Sequence, residues 1–318
     1  MQPMRSATAN TPASQPPGVT AIIPSRGRQD FLERAVRSVA SQRYAGEVEC
    51  VVVFDGGECA LPSIELPARR TLRGIGNDRR QGAAPARNAG ALAASFRVLA
   101  FLDDDDEWLP DKLDKQVRML TAAPAGSVVC SGIEVVHGDR IVSRVLDKQE
   151  VTFRDLLLSR IPELHTSTFV VKRSDFFGGI GPFDEDTPGS FAEDYDWLLR
   201  AARKKPVLTV AGEPLARIHW HGSSFFVGRW KTMIAGLQYL IGKHPDFRLE
   251  PRGLARIYGQ VAFAYAAAGS GPLSRSWARQ TLRHDWRQPR AYLALLVGAG
   301  LLSPETLVGT LNRFGRGI

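Results

Sequence analysis

Phe101-Leu102-Asp103-Asp104-Asp105-Asp106-Glu107-Trp108-Leu109-Pro110 (FLDDDDEWLP, 101–110) is the stretch on which the fold turns. It closes an apolar run, RVLAFL (97–102), with four adjacent carboxylates, and helical spacing resumes from about Pro110 to Leu120. Four like charges at the end of a buried strand repel one another at short range. A hard divalent ion with oxygen ligands, Mn²⁺ or Mg²⁺, would relieve that repulsion. The competing account is a solvated acidic loop whose charge caps the next helix.

Upstream, β-branched runs alternate with helical periodicity. VTAII (19–23) precedes Phe31, Leu32, Ala35, Val36, Val39 and Ala40 at helical spacing, with Asp30 and Glu33 placed like a capping box. VECVVVF (48–54) and an Ala-rich helix around 83–95 follow. Continuous apolar strands separated by helices predict an α/β fold, a mostly parallel, doubly wound sheet covered on both faces. Ligands of such sheets lie beyond the carboxyl ends of the strands, which singles out Pro24-Ser25, Asp55 and Asp103 to Asp106. Past residue 128 the pattern changes. VVCSGIEVV, a turn at His137-Gly138-Asp139 and RIVSRVL suggest antiparallel pairing, TSTFVVK (166–172) reads as another strand, and the chain from about 225 is helical.

Composition narrows the class. The 318 residues are 44% hydrophobic and 23% charged, which excludes collagen-like, disulfide-framework and wholly disordered chains. Cys50, Cys59 and Cys130 are scattered without a CxxC spacing and suit a reducing compartment. Residues 1–18 read as a floppy tail without a signal peptide's apolar core, and YLALLVGAGLL (292–302) is about half a membrane span, so a cytoplasmic location is expected. The net charge of +8 raises nucleic acid or an anionic membrane as partners. It is localised: residues 225–318 hold 13 Lys+Arg against 4 Asp+Glu, and the rest of the chain is nearly neutral.

VTAIIPSRGRQDFLERAVRSVASQ, VECVVVFDGG, GAAPARNAGAL, FLDDDDEWLPDKLDKQ, TSTFVVKRSDFFGGIGPFDE, FAEDYDWLLRAA and LARIHWHGSS occur in the order that resembles family 2 glycosyltransferases, which have the GT-A fold. The resemblance covers about residues 19–225. It implies a nucleotide-sugar half (19–125) and an acceptor half (126–225), and the charge and helical pattern that follow make 226–318 a basic helical C-terminal region. It further implies that Pro24, Ser25, Asp55, Arg87, Asn88 and Asp104 face the nucleotide sugar. Asp105, Asp103 and His221 would hold the metal, His219 fitting less well, and Glu193 and Trp197 would line the acceptor side. Phe54 and Gly57 stand where the family usually has Asp and Ser, so UDP is the commonest implication for the donor while dTDP and GDP sugars stay open.

FAEDYDWLLR (191–200) shows an apolar face at Trp197, Leu198 and Ala201 with Glu193 and Asp194 at the helix's N-terminal end. By the resemblance Asp194 is the general base. One carboxylate suffices for direct displacement with inversion, whereas a covalent route needs a second close to the anomeric carbon. Arg87 is left with two readings, a phosphate ligand or a salt-bridge partner of the acidic loop. His165 reads as a strand-edge residue in preference to an acceptor contact. Arg275, Arg279, Arg283 and Arg287 fall four apart, with Trp277, Leu282 and Trp286 placed away from them. That pattern leaves two readings for 270–302, contact with the inner face of the cell membrane or packing on the catalytic domain. The acceptor implied is a sugar, free or lipid-linked, in polysaccharide or glycolipid biosynthesis. The rival functions are a nucleotide-sugar-binding module without turnover and a basic nucleic-acid-binding protein. The acidic motifs speak against nucleic acid. A sugar-1-phosphate nucleotidyltransferase lacks support because no Gly-rich loop follows VTAII.

Overall fold

The computed structural model describes residues 15–57, 60–220, 228–304 and 306–307. In chain order the elements are β1 (Val19–Ser25), α1 (Gln29–Ala40), β2 (Val48–Phe54), β3 (Arg70–Gly76), α2 (Ala83–Ala93), β4 (Val98–Phe101), β5 (Glu107–Trp108) and α3 (Lys112–Ala122). Then come β6 (Val128–His137), β7 (Arg140–Arg144), β8 (Glu150–Val151), α4 (Phe153–Leu158), β9 (Val170–Lys172), α5 (Arg173–Asp175), α6 (Glu193–Lys204) and β10 (Val207–His219). The helices α7 (Trp230–Lys243), α8 (Pro251–Ala267), α9 (Gly271–His284) and α10 (Pro289–Gly298) complete the chain.

One mixed sheet runs in the order β3-β2-β1-β4-β9-β6-β10-β5, with β7 on β6 and β8 on β10. Strands β3, β2, β1 and β4 are mutually parallel, and β9 then pairs antiparallel to both β4 and β6. Alternation within the strands shows why the apolar runs are continuous. Val19, Ala21 and Ile23 of β1 enter one core with α1 and α3, while Ile22 enters the other with α2, α6 and α8. Helix α2 lies so close to this sheet that a Cβ on Gly90 would fall 2.4 Å from Ile22 Cγ2.

Several expectations are corrected. Helix α1 begins at Gln29 behind Arg28 without a side-chain cap, and Glu33 pairs with Arg37 instead of closing a capping box with Asp30. Strand β3 has no counterpart in the sequence pattern: RTLRGIG contains no apolar run and pairs only with β2, at the edge of the sheet. The strand expected over 166–172 splits. Thr168 Oγ1 donates to His165 O and Ser167 N donates to His165 Nδ1, which curls 166–168 into a 3₁₀ turn before β9. Helices α7 and α8 place Leu237, Leu240, Leu254, Ile257 and Val261 in the same core as β1 and α6.

Candidate functional site

The ends of β1, β2 and β4 meet in one place because the three strands are parallel and in register, Ile22 lying opposite both Val51 and Phe101. Ser25, the last residue of β1, bridges its neighbours. Its carbonyl accepts from Asp55 N at 2.8 Å, and its hydroxyl donates to Asp104 Oδ2 at 2.8 Å. Asp55 is buried and accepts from Asn77 Nδ2 (2.6 Å) and from the Gly82 N–H (2.9 Å). Gly82 precedes α2 at φ 147°, a conformation that favours glycine, so the turn presents its N–H to the strand end. Pro24 sits within β1, opposite Val53.

The four carboxylates divide among different partners. Asp103 accepts from Arg87 at 2.6 Å, and the other arm of Arg87 reaches Glu193 at 2.7 Å. Arg28 takes both Asp104 and Asp105, the latter at 2.7 Å. Asp106 accepts from Ser167 Oγ at 2.6 Å and from His219 N at 3.3 Å, with His165 Nδ1 3.5 Å away. Burial, then the charges of Asp105 and Asp103, push Asp106 well above the usual carboxylate range. Burial likewise raises Asp104 against the pull of Arg28. Asp103, Asp106 and His165 each bring one ligand atom within 4.8 Å of the others, a set of two hard oxygens and an imidazole able to hold a divalent ion.

Of the expected metal residues, this group contains Asp103. Asp105 turns instead to Arg28, and His221 lies outside the described residues. His219 ends β10 with its ring 2.6 Å from Glu107 Oε1.

Arg87 is 4% exposed and bound to two carboxylates, Asp103 and Glu193. Asn88 accepts from Phe183 N and donates to Phe183 O and Glu185, so it anchors the 183–185 loop.

On the facing side, α6 begins after Ala192, held in the left-handed region at φ 68°. This entry sets Glu193 and Asp194 in the first turn, where the helix dipole favours negative charge. Arg160 Nη2 donates to both oxygens of Asp194 at 2.9 Å. Burial would raise the Asp194 carboxyl, but Arg160 overrides it and holds the group below its ordinary range. Glu193 goes the other way, pushed up to about 7 by burial and by Asp194, against Arg87. Trp197 is fully buried, stacked on Phe169 and Phe183 at 5.4 and 5.3 Å. Its ring is core, and its indole N–H is spent on Gly181 O, so it offers no surface to a ligand.

Sequence reasoning misses Arg28, Asn77 and Arg160, it singles out Asp106 with its neighbours without naming it a metal ligand, and it takes His165 for a bland edge residue. For Arg28 a signal exists: Ser25-Arg26-Gly27-Arg28 directly follows the β1 run, in a chain whose acidic cluster needs cations.

Residues 20–176 match the family model described as Glycosyl transferase family 2. Among curated relatives, the Escherichia coli protein WfgD, described as a UDP-Glc:alpha-D-GlcNAc-diphosphoundecaprenol beta-1,3-glucosyltransferase, is 29% identical over 139 residues. That match covers 44% of this chain and 54% of WfgD. The succinoglycan biosynthesis protein ExoO of Rhizobium meliloti is 34% identical over 164 residues, 51% of this chain and 44% of ExoO. The chain thus spans about half the length of these two relatives. In fold it is similar to Staphylococcus aureus TarS 1-349, solved in complex with UDP-GlcNAc, with a TM-score of 0.59 and 15% identity, covering 94% of this chain and 92% of that one.

Proposed function

Starting from the chain's membership of glycosyl transferase family 2 through residues 20–176, we propose that it is an inverting, metal-dependent enzyme that moves a sugar from a nucleoside diphosphate to an acceptor hydroxyl. The observation that carries this reading is the arrangement of a strand end whose Asp103, Asp106 and His165 could hold a metal ion opposite a separate carboxylate, Asp194, on α6. Arg87 joins the two by holding Asp103 and Glu193 at once.

In this reading the nucleotide lies along the ends of β1 and β2. Asp55, fixed by Asn77 and Gly82, accepts a hydrogen bond from the base, and Ser25 and Asp104 face the ribose or sugar. UDP is the favoured donor nucleotide. The acceptor hydroxyl approaches Asp194, which takes its proton as the oxygen attacks the anomeric carbon from the face opposite the diphosphate. Glu193 is held by Arg87 and is not a second nucleophile, which favours displacement in one step. Asp103, Asp106 and His165, with Asp105 alongside, would hold Mn²⁺ or Mg²⁺, which supplies Lewis-acid stabilisation to a diphosphate when bound. The acceptor class we infer is a sugar, free or lipid-linked, in surface polysaccharide or glycolipid assembly.

One observation favours a second reading, a nucleotide-sugar-binding module without turnover: Arg160 occupies both oxygens of Asp194. Arg160 is 43% exposed, and the enzyme reading requires that an acceptor displace it toward water. Nucleoside diphosphate release from a panel of UDP, dTDP and GDP sugars, with Mn²⁺, Mg²⁺ or chelator, separates the readings. The enzyme reading expects release that chelator abolishes. Donor binding without release for any acceptor offered favours the module, and release that ignores chelator contradicts metal dependence.

A further inference from the structure

The outer face of α9 and α10 inverts the usual arrangement of a surface helix pair. Small residues point inward, Ala278, Ala291 and Ala294 being fully buried with Val297 against α8. Large apolar side chains point outward: Trp286 is 67% exposed and Leu301 70%, with Tyr292, Leu296 and Leu302 also exposed. Trp277 of α9 turns in, edge-on to Tyr258 at 5.0 Å. Between the helices runs a groove of about 410 Å³ lined by Arg275, Arg279, Arg283, Leu282 and Leu295. Leu282 therefore lies beside the arginines rather than away from them, and Arg287 falls beyond the end of α9. Arg275, Arg279, Arg283 and Arg287 are accompanied by a single acid in 271–302, Asp285, whose carboxylate accepts from the Arg287 N–H. Among the described residues no ion pair engages Arg275, Arg279 or Arg283.

We propose that this face docks the protein on a bilayer bearing anionic phospholipid. Both halves of the surface are then used: the arginines meet lipid phosphates, and Trp286, Leu296 and Leu301 enter the headgroup and acyl boundary. A polyanion such as RNA would match the arginines and leave the leucines in water, so charge and apolarity together favour lipid. The two helices, of 14 and 10 residues, are too short to cross, and among the described residues no helix is long and apolar enough to do so. The inference is independent of the catalytic reading.

The test is flotation of the full chain with vesicles of phosphatidylcholine alone or of phosphatidylcholine and phosphatidylglycerol in equal parts, together with tryptophan emission. We expect flotation and a blue shift with the anionic vesicles only, weakening as salt rises. Arg279→Gln with Arg283→Gln should lower the affinity about 25-fold, about fivefold per arginine. Leu296→Ser with Leu301→Ser should lower it with every charge intact. Equal binding to neutral vesicles, no salt dependence in the wild-type chain, or unchanged affinity in the arginine pair would overturn the proposal. So would retention of RNA at a salt concentration that releases the vesicles. The wild-type salt series needs no variant and decides the matter even if a substitution impairs folding.

Discussion

Arg160 donates from one nitrogen to both oxygens of Asp194, which keeps that carboxylate ionised but also lowers its basicity. If Asp194 is the base, Arg160→Ala raises its pKa and moves the acid limb of the pH–rate profile to higher pH. An unmoved limb would separate Asp194 from the chemistry. Lys112 offers a second test, of stability. Its side chain is fully buried, its Nζ has no hydrogen-bond partner among the described residues and lies 4.3 Å from the Trp108 ring centre, and burial lowers its pKa to about 7. Between pH 7 and the ordinary lysine range the unfolded chain binds the extra proton, so stability rises with pH across that window. Lys112→Met should therefore stabilise by roughly 3–5 kcal/mol at pH 7, since each tenfold loss of proton affinity on folding costs about 1.4 kcal/mol, with the gain fading toward pH 10. Denaturant unfolding at the two pH values checks it, and a pH-independent gain would assign the effect to packing alone. The Arg160–Asp194 pairing is not legible in the sequence. Arg160 and Asp194 stand 34 residues apart, and periodicity says which residues are apolar, not which cation meets which carboxylate.

Elements whose residues carry strong periodicity are legible, and those held only by their neighbours are not. Apolar runs locate β1, β2 and β4, and a turn at His137-Gly138-Asp139 locates the β6–β7 hairpin. Strand β3 escapes because Arg and Gly interrupt its single apolar positions, and Gly74 accepts the Phe54 ring where a Cβ would collide with it at 2.6 Å. A similar close approach joins the C-terminal helices to the rest. A Cβ on Gly253 of α8 would lie 1.9 Å from the Leu157 carbonyl oxygen at the end of α4. Backbone cannot yield as a side-chain tip does, so Gly253→Ala should destabilise by about 1–3 kcal/mol, read as a lower thermal midpoint. An unchanged midpoint would mean that α8 shifts freely on α4 and that the core it shares with β1 and α6 is loose.

At the scale of the whole molecule the charge distribution is the informative quantity. The acidic cluster and the basic outer face belong to one fold, the first at the ends of β1, β2 and β4, the second on α9 and α10. Sequence alone places the excess of basic residues after 225 and the acids after the strands. It does not place Leu282 beside the arginines, because that depends on how α9 meets α10. The proposed reaction depends on proton abstraction by Asp194 from the acceptor hydroxyl. It is tested most directly by measuring, on wild type and Asp194→Asn, both nucleotide affinity and nucleoside diphosphate release from the donor sugar that wild type turns over. The account predicts unchanged affinity and a fall in release of about 10²–10⁴, the usual worth of a general base. Release at the wild-type rate in Asp194→Asn would contradict it.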